Sequence, residues 1–448
     1  MSRGNYGYQS VNPAVGNGPS DSSNKLYGAR RGIAPQFWRI PWLSFILLTL
    51  LFFGALHDVQ FSLHDNTETP IEDRIAQLAE GSIGRRVSFA LLGLFGLVAL
   101  VRKRGQRLQA QWPPAHLILF FLIWACMSVT WSTEPAITLR SLVVLGTFWL
   151  AAMGLTRRTT VDQIILFTLF ASSVYLIAGI VAEISLGTFE PFTAGYRFAG
   201  TLHPNEQGTN CAVLALSGIA TAQANTRWRG VIMVWIGVGV TFVALTGSRV
   251  AFVAILIALA GYFLLTTQIS QKLMVALTVL VCAALALLFF GQTFVDGVIG
   301  VAHLGREDPL ATITGRLELQ KLSVAFASER PILGFGYGAF WSPDRIYEAS
   351  SFLGGRISGS TSAYLELILN TGLVGMGVFV LILAVGFNRC RALYGLTART
   401  GYAFMAMLLL YSTLTGLAYS GPVQPTFLAF LTWLALVRAG WGSIEVSS

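Results

Sequence analysis

Long apolar runs separated by short polar stretches constrain this chain more than any other feature. Each run has about 16–25 residues, enough for a helix to cross a hydrocarbon core of roughly 30 Å. Alternating ten-residue strands do not occur in the sequence, and an open sheet cannot satisfy its backbone hydrogen bonds in lipid. The runs therefore predict an all-α integral membrane protein with about twelve transmembrane helices. The predicted helices cover residues 38–56, 84–101, 115–131, 137–155, 163–186, 209–224, 230–246, 250–267, 272–291, 364–387, 402–420 and 424–438.

The composition excludes several other classes of protein. Hydrophobic residues make up 54% of the chain and charged residues 11%, whereas an average soluble domain carries roughly 25% charged residues. The net charge of +9 is not arranged as basic clusters among stacking aromatics, so we expect no nucleic-acid partner. The cysteines lack metal-ligand spacing, and no Asp-x-Asp, HExxH or GxSxG motif lies on the predicted outer face. The sequence therefore predicts neither a metal site nor a cofactor.

The charged residues between the runs predict which way the chain faces. If residues 1–36 are a flexible cytoplasmic tail and successive helices alternate in direction, more than half of the 30 basic residues fall on the cytoplasmic side. Only Asp21, Asp162 and Glu445 of the 21 acidic residues share that side. This is the positive-inside distribution of membrane proteins. We therefore expect both termini in the cytoplasm, with the first run retained as an anchor.

One outer loop is much longer than the others. The predicted organisation is a membrane bundle of nine helices (37–291), an outer loop (292–362), and a bundle of three helices with a short tail (363–448). Typical connections have roughly 4–6 residues, and a loop far longer than that is usually functional. Within it, residues 315–329 predict an amphipathic helix over the outer surface of the bundle, closed by Pro331. Its apolar face contains Leu319, Leu322 and Phe326.

Candidate functional residues are basic groups at the outer membrane edge, where a cation is costly unless it has a role. The tight hairpin Thr246-Gly247-Ser248-Arg249 places Arg249 beside backbone amides at the start of the eighth helix. A guanidinium with free N–H groups at a helix amino terminus is suited to bind phosphate. The alternative is that Arg249 snorkels and merely anchors the hairpin.

Other outer polar residues are weaker candidates. Arg316 lies in the first turn of the predicted loop helix, where a cation opposes the helix dipole unless an anion is shared with the amides; it could equally be a solvated loop residue. Arg140 lies near the outer end of the fourth helix, and Arg197 and His203 lie in the next outer loop. His203-Pro204-Asn205 fits a turn that begins the sixth helix better than a catalytic group. The glycines of PILGFGYGAF (331–340) lack the βαβ context of a dinucleotide site, so we interpret them as a flexible bend.

Four separated segments stand out together by their order and spacing: RFAGTLHPNEQG (197–208), LTGSR (245–249), GRLELQKLSVAFASERPILGFGYGAF (315–340) and AYLELILNTGLVGMGVF (363–379). They resemble the O-antigen ligase and polysaccharide polymerase family of bacterial inner membranes. The resemblance covers about residues 190–380, together with the twelve-helix layout and its large outer loop.

The resemblance implies a metal-independent glycosyltransferase of the GT-C type in the bacterial inner membrane, with a periplasmic active site. Its implied donor is a polyprenyl-pyrophosphate-linked oligosaccharide, and its implied acceptor is a growing polysaccharide chain. Membrane lipids, a chain-length regulator and export proteins are the further expected partners. In that family the arginine of the TGSR-like hairpin and the arginine that opens the loop helix contact the pyrophosphate, which implies this role for Arg249 and Arg316. The residues expected to bind substrate are Arg140, Arg197, His203, Ser248 and Tyr364.

The chain departs from the family at the start of the tenth helix. Ligases there have a His-Asn-x-Tyr-Leu stretch whose histidine is a candidate base, whereas this chain has Thr361-Ser362-Ala363-Tyr364-Leu365. The missing histidine favours a polymerase of repeat units over a ligase. Glu366 is our first candidate for the proton acceptor and His203 the second, although Glu366 could instead pair with an arginine. A lipid-linked glycan transporter or flippase, and a structural subunit of an export complex, remain alternative functions.

Overall fold

The computed structural model describes residues 41–56, 83–102, 105–193, 196–225, 227–267, 313–353, 359–421 and 423–442. All regular secondary structure in these ranges is helical, with a short 3-10 turn at Ser128–Thr130. The helices are α1 (Trp42–Leu56), α2 (Ile83–Val101), α3 (Pro114–Met127), α4 (Pro135–Arg158), α5 (Val161–Leu186), α6 (Pro204–Ala224), α7 (Arg229–Leu245), α8 (Arg249–Thr266), α9 (Ile313–Glu329), α10 (Pro343–Leu353), α11 (Ala363–Thr397), α12 (Thr400–Gly416) and α13 (Phe427–Trp441).

Several of these helices have the length and composition of membrane spans. Five of those described, α2, α4, α5, α8 and α11, are long and apolar enough to cross a bilayer. Large apolar side chains of α2 are exposed, including Leu91, Leu94 and Val98. Such a surface is stable against lipid and would be unfavourable in water. The chain is therefore an integral membrane protein whose regular structure, in the ranges described, is helical.

The predicted runs fall on described helices except for 272–291, which lies outside the described residues together with the tail 1–36 and loop segment 292–312. Helix bounds differ in places. The sixth helix begins at Pro204 instead of residue 209, because proline suits the first helical position and His203 caps it. The tenth predicted run continues to Thr397, and the eleventh ends at Gly416.

Helices α12 and α13 form the centre of the bundle. Every residue of α13 is buried. Helix α12 packs against α11 and α8, and α13 packs against α4, while α6 contacts α5, α7, α8 and α12. The helices with lipid-like surfaces therefore surround two helices that have almost no exposed face.

Arg438 is a charged residue in the interior of this bundle. Its side chain is 1% exposed, and its Nη1 donates to Gln106 Oε1 at 2.8 Å and to the carbonyls of Thr156 and Thr159 at 3.3 and 3.4 Å. A buried cation is tolerated only when acceptors replace its water. Arg438 therefore ties α13 to the end of α4.

The long loop before α11 contains two helices. The predicted helix at 315–329 is confirmed as α9, and Leu319 and Phe326 on its predicted apolar face are buried. It packs against α11. Helix α10 was not predicted, because its sequence PDRIYEASSFL is too short and polar to resemble a membrane run. Pro343 begins it, as proline favours the first position of a helix.

Between α9 and α10, residues 330–342 form what we call the docked loop. The interpretation of its glycines as a flexible bend was wrong. Helix α11 breaks at Gly372, with φ 69° and ψ −175°, and the docked loop bonds to the backbone freed by the break. Phe335 and Gly336 donate to the carbonyls of Leu369 and Asn370 at 2.8 and 3.0 Å, and Leu373 donates to the Pro331 carbonyl at 2.8 Å.

Glycine is required where the two backbones approach. A Cβ on Gly372 would overlap the Ile332 carbonyl, and a Cβ on Gly334 would lie 2.6 Å from the Gly372 nitrogen. Both glycines have φ of +69°, which side chains other than glycine rarely adopt. Glycine at these two positions therefore allows the docked loop and α11 to make a close backbone contact.

Candidate functional site

The predicted hairpin between α7 and α8 is present. Helix α7 ends at Leu245 and α8 begins at Arg249, so the connection has three residues. Gly247 has φ of +63°, and Ser248 is buried without capping the first turn of α8 through its side chain. Arg249 is half-buried at the amino end of α8. The hairpin therefore places Arg249 at the amino end of α8, and its role in binding phosphate stays a prediction.

Arg197 packs on this hairpin. Its Nε donates to the Thr246 carbonyl at 3.0 Å and its Nη2 to Asn205 Oδ1 at 3.3 Å. The next residue, Phe198, donates its N–H to the Leu245 carbonyl at 2.9 Å. A Cβ on Gly247 would lie 3.2 Å from Arg197 Nε. The structure thus brings together two of the predicted basic segments and gives Arg197 a positioning contact with the hairpin.

His203 and Pro204 begin α6. His203 Nδ1 accepts the N–H of Asn205 at 3.2 Å, and Pro204 is the first helical residue. The interpretation of His-Pro-Asn as a turn that starts a helix is confirmed. Because Asn205 also accepts from Arg197, the same turn supports the hairpin contact.

Glu183 holds the loop that carries Arg197, and sequence analysis missed it. Its carboxylate is 2% exposed and accepts the N–H groups of Ala199 and Gly200 at 2.8 and 2.7 Å. The Tyr196 hydroxyl also donates to it, and burial together with this carboxylate raises the pKa of Tyr196 well above its usual value. An acidic residue inside an apolar run was the signal that could have identified it.

Arg316 and Arg140 occupy the predicted helices. Arg316 is the fourth residue of α9, in its first turn as expected; its side chain lies outside the described part of the chain. Arg140 lies in the second turn of α4 and is exposed.

Glu366 is buried in the first turn of α11, where it joins three segments. Its Oε2 accepts from Trp341 Nε1 at 2.9 Å and from the Ser360 hydroxyl and N–H at 2.9 and 3.2 Å. Its Oε1 accepts from Asn370 Nδ2 at 3.1 Å. No arginine pairs with it within the described ranges, so the alternative interpretation of an arginine partner finds no support there. The carboxylate fixes the docked loop and Ser360 to α11.

Tyr364 contributes mainly to helix packing. Its hydroxyl donates to the Thr413 carbonyl of α12 at 2.9 Å, and its ring lies 3.4 Å from the position a Cβ on Gly416 would take. The substrate-binding role predicted for Tyr364 stays a prediction. In the residues with described positions, no group of three His, Cys, Asp or Glu side chains could hold a metal ion.

Comparison with known proteins adds two matches. A family described as O-Antigen ligase matches residues 231–380, a segment that contains Arg249, Arg316, Tyr364 and Glu366. The chain is also 24% identical over 299 residues to the "Exopolysaccharide production protein ExoQ" of Rhizobium meliloti (strain 1021). That alignment covers 60% of this chain and 64% of the relative, so the chain spans less than two thirds of the relative's length.

The family match begins in α7 and ends in α11. It therefore includes the hairpin, α9 and the first half of α11, which carry three of the four motif segments found in the sequence. The two matches confirm that this chain resembles the O-antigen ligase and polysaccharide polymerase family.

Proposed function

We propose that this chain polymerises lipid-linked oligosaccharide repeat units into an exopolysaccharide or O-antigen-like polymer at the periplasmic face of the inner membrane. The donor is a polyprenyl-pyrophosphate-linked oligosaccharide, and the acceptor is a sugar hydroxyl of the growing chain. The observation that carries the proposal is the hairpin held by Arg197, which places Arg249 at the amino end of α8. The name of the relative, an exopolysaccharide production protein, supports a polymer product.

In the proposed reaction an acceptor oxygen attacks the anomeric carbon of the donor sugar. The bond from that carbon to the pyrophosphate oxygen breaks, and polyprenyl pyrophosphate leaves with the electron pair. Arg249, the first amides of α8 and Arg316 stabilise the negative charge that grows on the leaving group. Ser248 and Arg140 assist in binding the donor. No metal or cofactor takes part in this proposal.

The attacking hydroxyl also loses a proton. Glu366 is the proposed acceptor, because its Oε1 carries one hydrogen-bond donor whereas its Oε2 carries three. His203 is less suited, since its Nδ1 already accepts from Asn205 and a neutral imidazole then has its proton on Nε2. Transfer to a different acceptor, as in an O-antigen ligase, is the second candidate, favoured by the description of the matching family.

The proposal predicts that loss of either pyrophosphate arginine impairs turnover. A charged hydrogen bond contributes about 1.5–3 kcal/mol, so Arg249→Ala and Arg316→Ala should each lower turnover by about one to two orders of magnitude. Arg249→Lys should rescue partly, because lysine offers a point charge and no fork. Polymer amount and length in complemented deletion cells, and release of polyprenyl pyrophosphate by purified protein, provide the measurements.

Arg227→Ala is the matched control, because Arg227 is exposed at the opposite end of α7 from the hairpin. It should retain normal turnover. The pyrophosphate role would be disproved if Arg249→Ala and Arg316→Ala both made polymer of normal amount and length.

A further inference from the structure

Arginines gather where α2 and α4 end side by side, at the end of the bundle that we expect in the cytoplasm. Arg157 Nη1 donates to the Leu100 carbonyl, and its Nη2 donates to the Arg102 carbonyl at 3.1 Å. Arg158 follows Arg157 directly, and the charges of Arg102 and Arg157 both act on it. Three guanidinium groups therefore share one corner of the bundle, which we call the basic corner.

Arg157 has a structural role in the basic corner. The last carbonyls of a helix have no partner within it, and a cation there is stabilising. Arg157 supplies this cation to the end of α2 through its bond to Leu100. Its own carbonyl accepts the N–H of Gln106 at 2.8 Å, which fixes the chain just after α2. The fold therefore accounts for Arg157, and the charges of Arg102 and Arg158 remain to be explained.

Arg102 and Arg158 have no carboxylate beside them in the part of the chain that the structure describes. None of the ion pairs there includes either residue. The nearest described acid along the sequence, Asp162, instead lies 3.7 Å from Arg399 Nη1 through its Oδ2. Arg102 is exposed and Arg158 is half-buried, so both can be reached from outside the protein. Because like charges repel each other, an anion bound between them would be stabilised by both.

An exposed apolar stripe of α2 leads to the basic corner. Leu94, Val98 and Val101 are four and three residues apart, so they lie on one face of the helix. All three are exposed, and Val101, which immediately precedes Arg102, is 81% exposed. A lipid chain lying on this stripe would therefore bring its headgroup to the level of Arg102.

The segment that follows α2, residues 105–112, crosses this end of the bundle. It begins at the Arg157 carbonyl, and further along Gln111 donates its N–H to the Gly440 carbonyl of α13 at 2.8 Å. Trp112 ends the segment and is exposed. Exposed tryptophans are typical of the boundary between membrane and water. The basic corner therefore lies at the level expected for lipid headgroups.

We propose that the basic corner binds the headgroup phosphate of an anionic phospholipid between Arg102 and Arg158, with the acyl chains along the exposed stripe of α2. Basic pockets between membrane helices are suited to such headgroups. A phospholipid fits better than free phosphate, because the apolar stripe ends at the cationic groups. This inference is independent of glycosyl transfer.

The first test counts bound lipid by native mass spectrometry. Full-length protein in detergent is washed free of lipid and titrated with phosphatidylglycerol or with phosphatidylcholine of the same acyl chains. Wild type should bind phosphatidylglycerol more tightly. Arg102→Gln and Arg158→Gln should each weaken its binding about 5-fold, which corresponds to about 1 kcal/mol per cation, and leave phosphatidylcholine binding unchanged. Arg229→Gln is the matched control, since Arg229 is exposed at the beginning of α7, on the same expected side.

Thermal unfolding separates lipid binding from a structural role, because a ligand that binds only the folded protein raises the unfolding temperature. Phosphatidylglycerol should raise this temperature more than phosphatidylcholine does in wild type and in Arg229→Gln. The double variant Arg102→Gln/Arg158→Gln should unfold at the wild-type temperature without lipid and lose the additional rise.

Three results would overturn the proposal. The first is equal affinity of wild type for the two lipids. The second is a double variant that is less stable without lipid and still gains the full rise from phosphatidylglycerol, which would make the two arginines structural. The third is an equal rise from inorganic phosphate alone, which would indicate a site for free anions and not for a lipid.

Discussion

Arg197 holds the hairpin between α7 and α8 in position. Both of its described bonds go to the chain itself, to the Thr246 carbonyl and to Asn205. Its guanidinium joins the hairpin to the start of α6, and Glu183 fixes the backbone two and three residues further on. We therefore assign Arg197 a positioning role and reserve the donor contact for Arg249.

Substitution of Arg197 should loosen the hairpin without removing the donor contact. We expect Arg197→Ala to lower kcat about 10-fold, because a small misplacement of the Arg249 guanidinium weakens charge stabilisation in the transition state. Arg197→Lys should not restore it, since lysine cannot bridge two acceptors in the same planar geometry. Turnover of purified variants measures this, with Arg227→Ala as the exposed control. An unchanged kcat in Arg197→Ala would contradict the positioning role.

The junction of the docked loop with α11 requires glycine at position 372. In Gly372→Ala a methyl group would meet the Ile332 carbonyl at a φ that alanine rarely adopts. We expect a loss of stability of more than about 2 kcal/mol, measured by thermal unfolding in detergent. Gly377→Ala is the control in the same helix, since a Cβ there meets nothing within 4 Å. Equal unfolding temperatures in the two variants would exclude a tight junction.

Glu366 has two roles that one substitution can separate. Glu366→Gln keeps the shape but loses at least one of four hydrogen bonds, so the docked loop should become less stable by about 1–3 kcal/mol. If Glu366 is also the base, turnover should fall by about 10²–10⁴ and lose its acid limb, and it should fall further than in His203→Ala. If Glu366→Gln lowered the stability but kept the wild-type dependence of turnover on pH, the carboxylate would have a structural role and would not be the base.

The pattern of apolar residues along the sequence was sufficient to predict the helices, because each helix depends on residues close together in the chain. The apolar runs identified the described membrane helices, and the faces of Leu319 and Phe326 identified α9. Contacts between distant segments could not be predicted in this way. Glu366 meets Trp341 because the docked loop bonds to the backbone of α11 around Gly372, and a glycine in an apolar run does not reveal which backbone will approach it.

The topology of the whole molecule is a prediction from the sorting of charge. In a cysteine-free background, Ser351→Cys should react with a membrane-impermeant thiol reagent added to intact spheroplasts, because α10 is expected outside. Ala392→Cys should react only after permeabilisation. Both positions are exposed, which makes access to the reagent comparable. The background is needed because Cys126 is also exposed. The reversed pattern would invert the topology and move the candidate site to the cytoplasm.

The buried guanidinium of Arg438 has a consequence for the order in which the bundle is assembled. Its acceptors at Thr156 and Thr159 are synthesised 282 and 279 residues earlier. At about 5–20 residues per second, the first helices spend roughly 15–60 s in the membrane before this partner emerges from the ribosome. During that interval α3 and α4 lack the helix α13 that later packs against both of them. Helix α13 is therefore the last described helix to join the bundle, and a chain truncated before residue 427 would lack one of the two central helices.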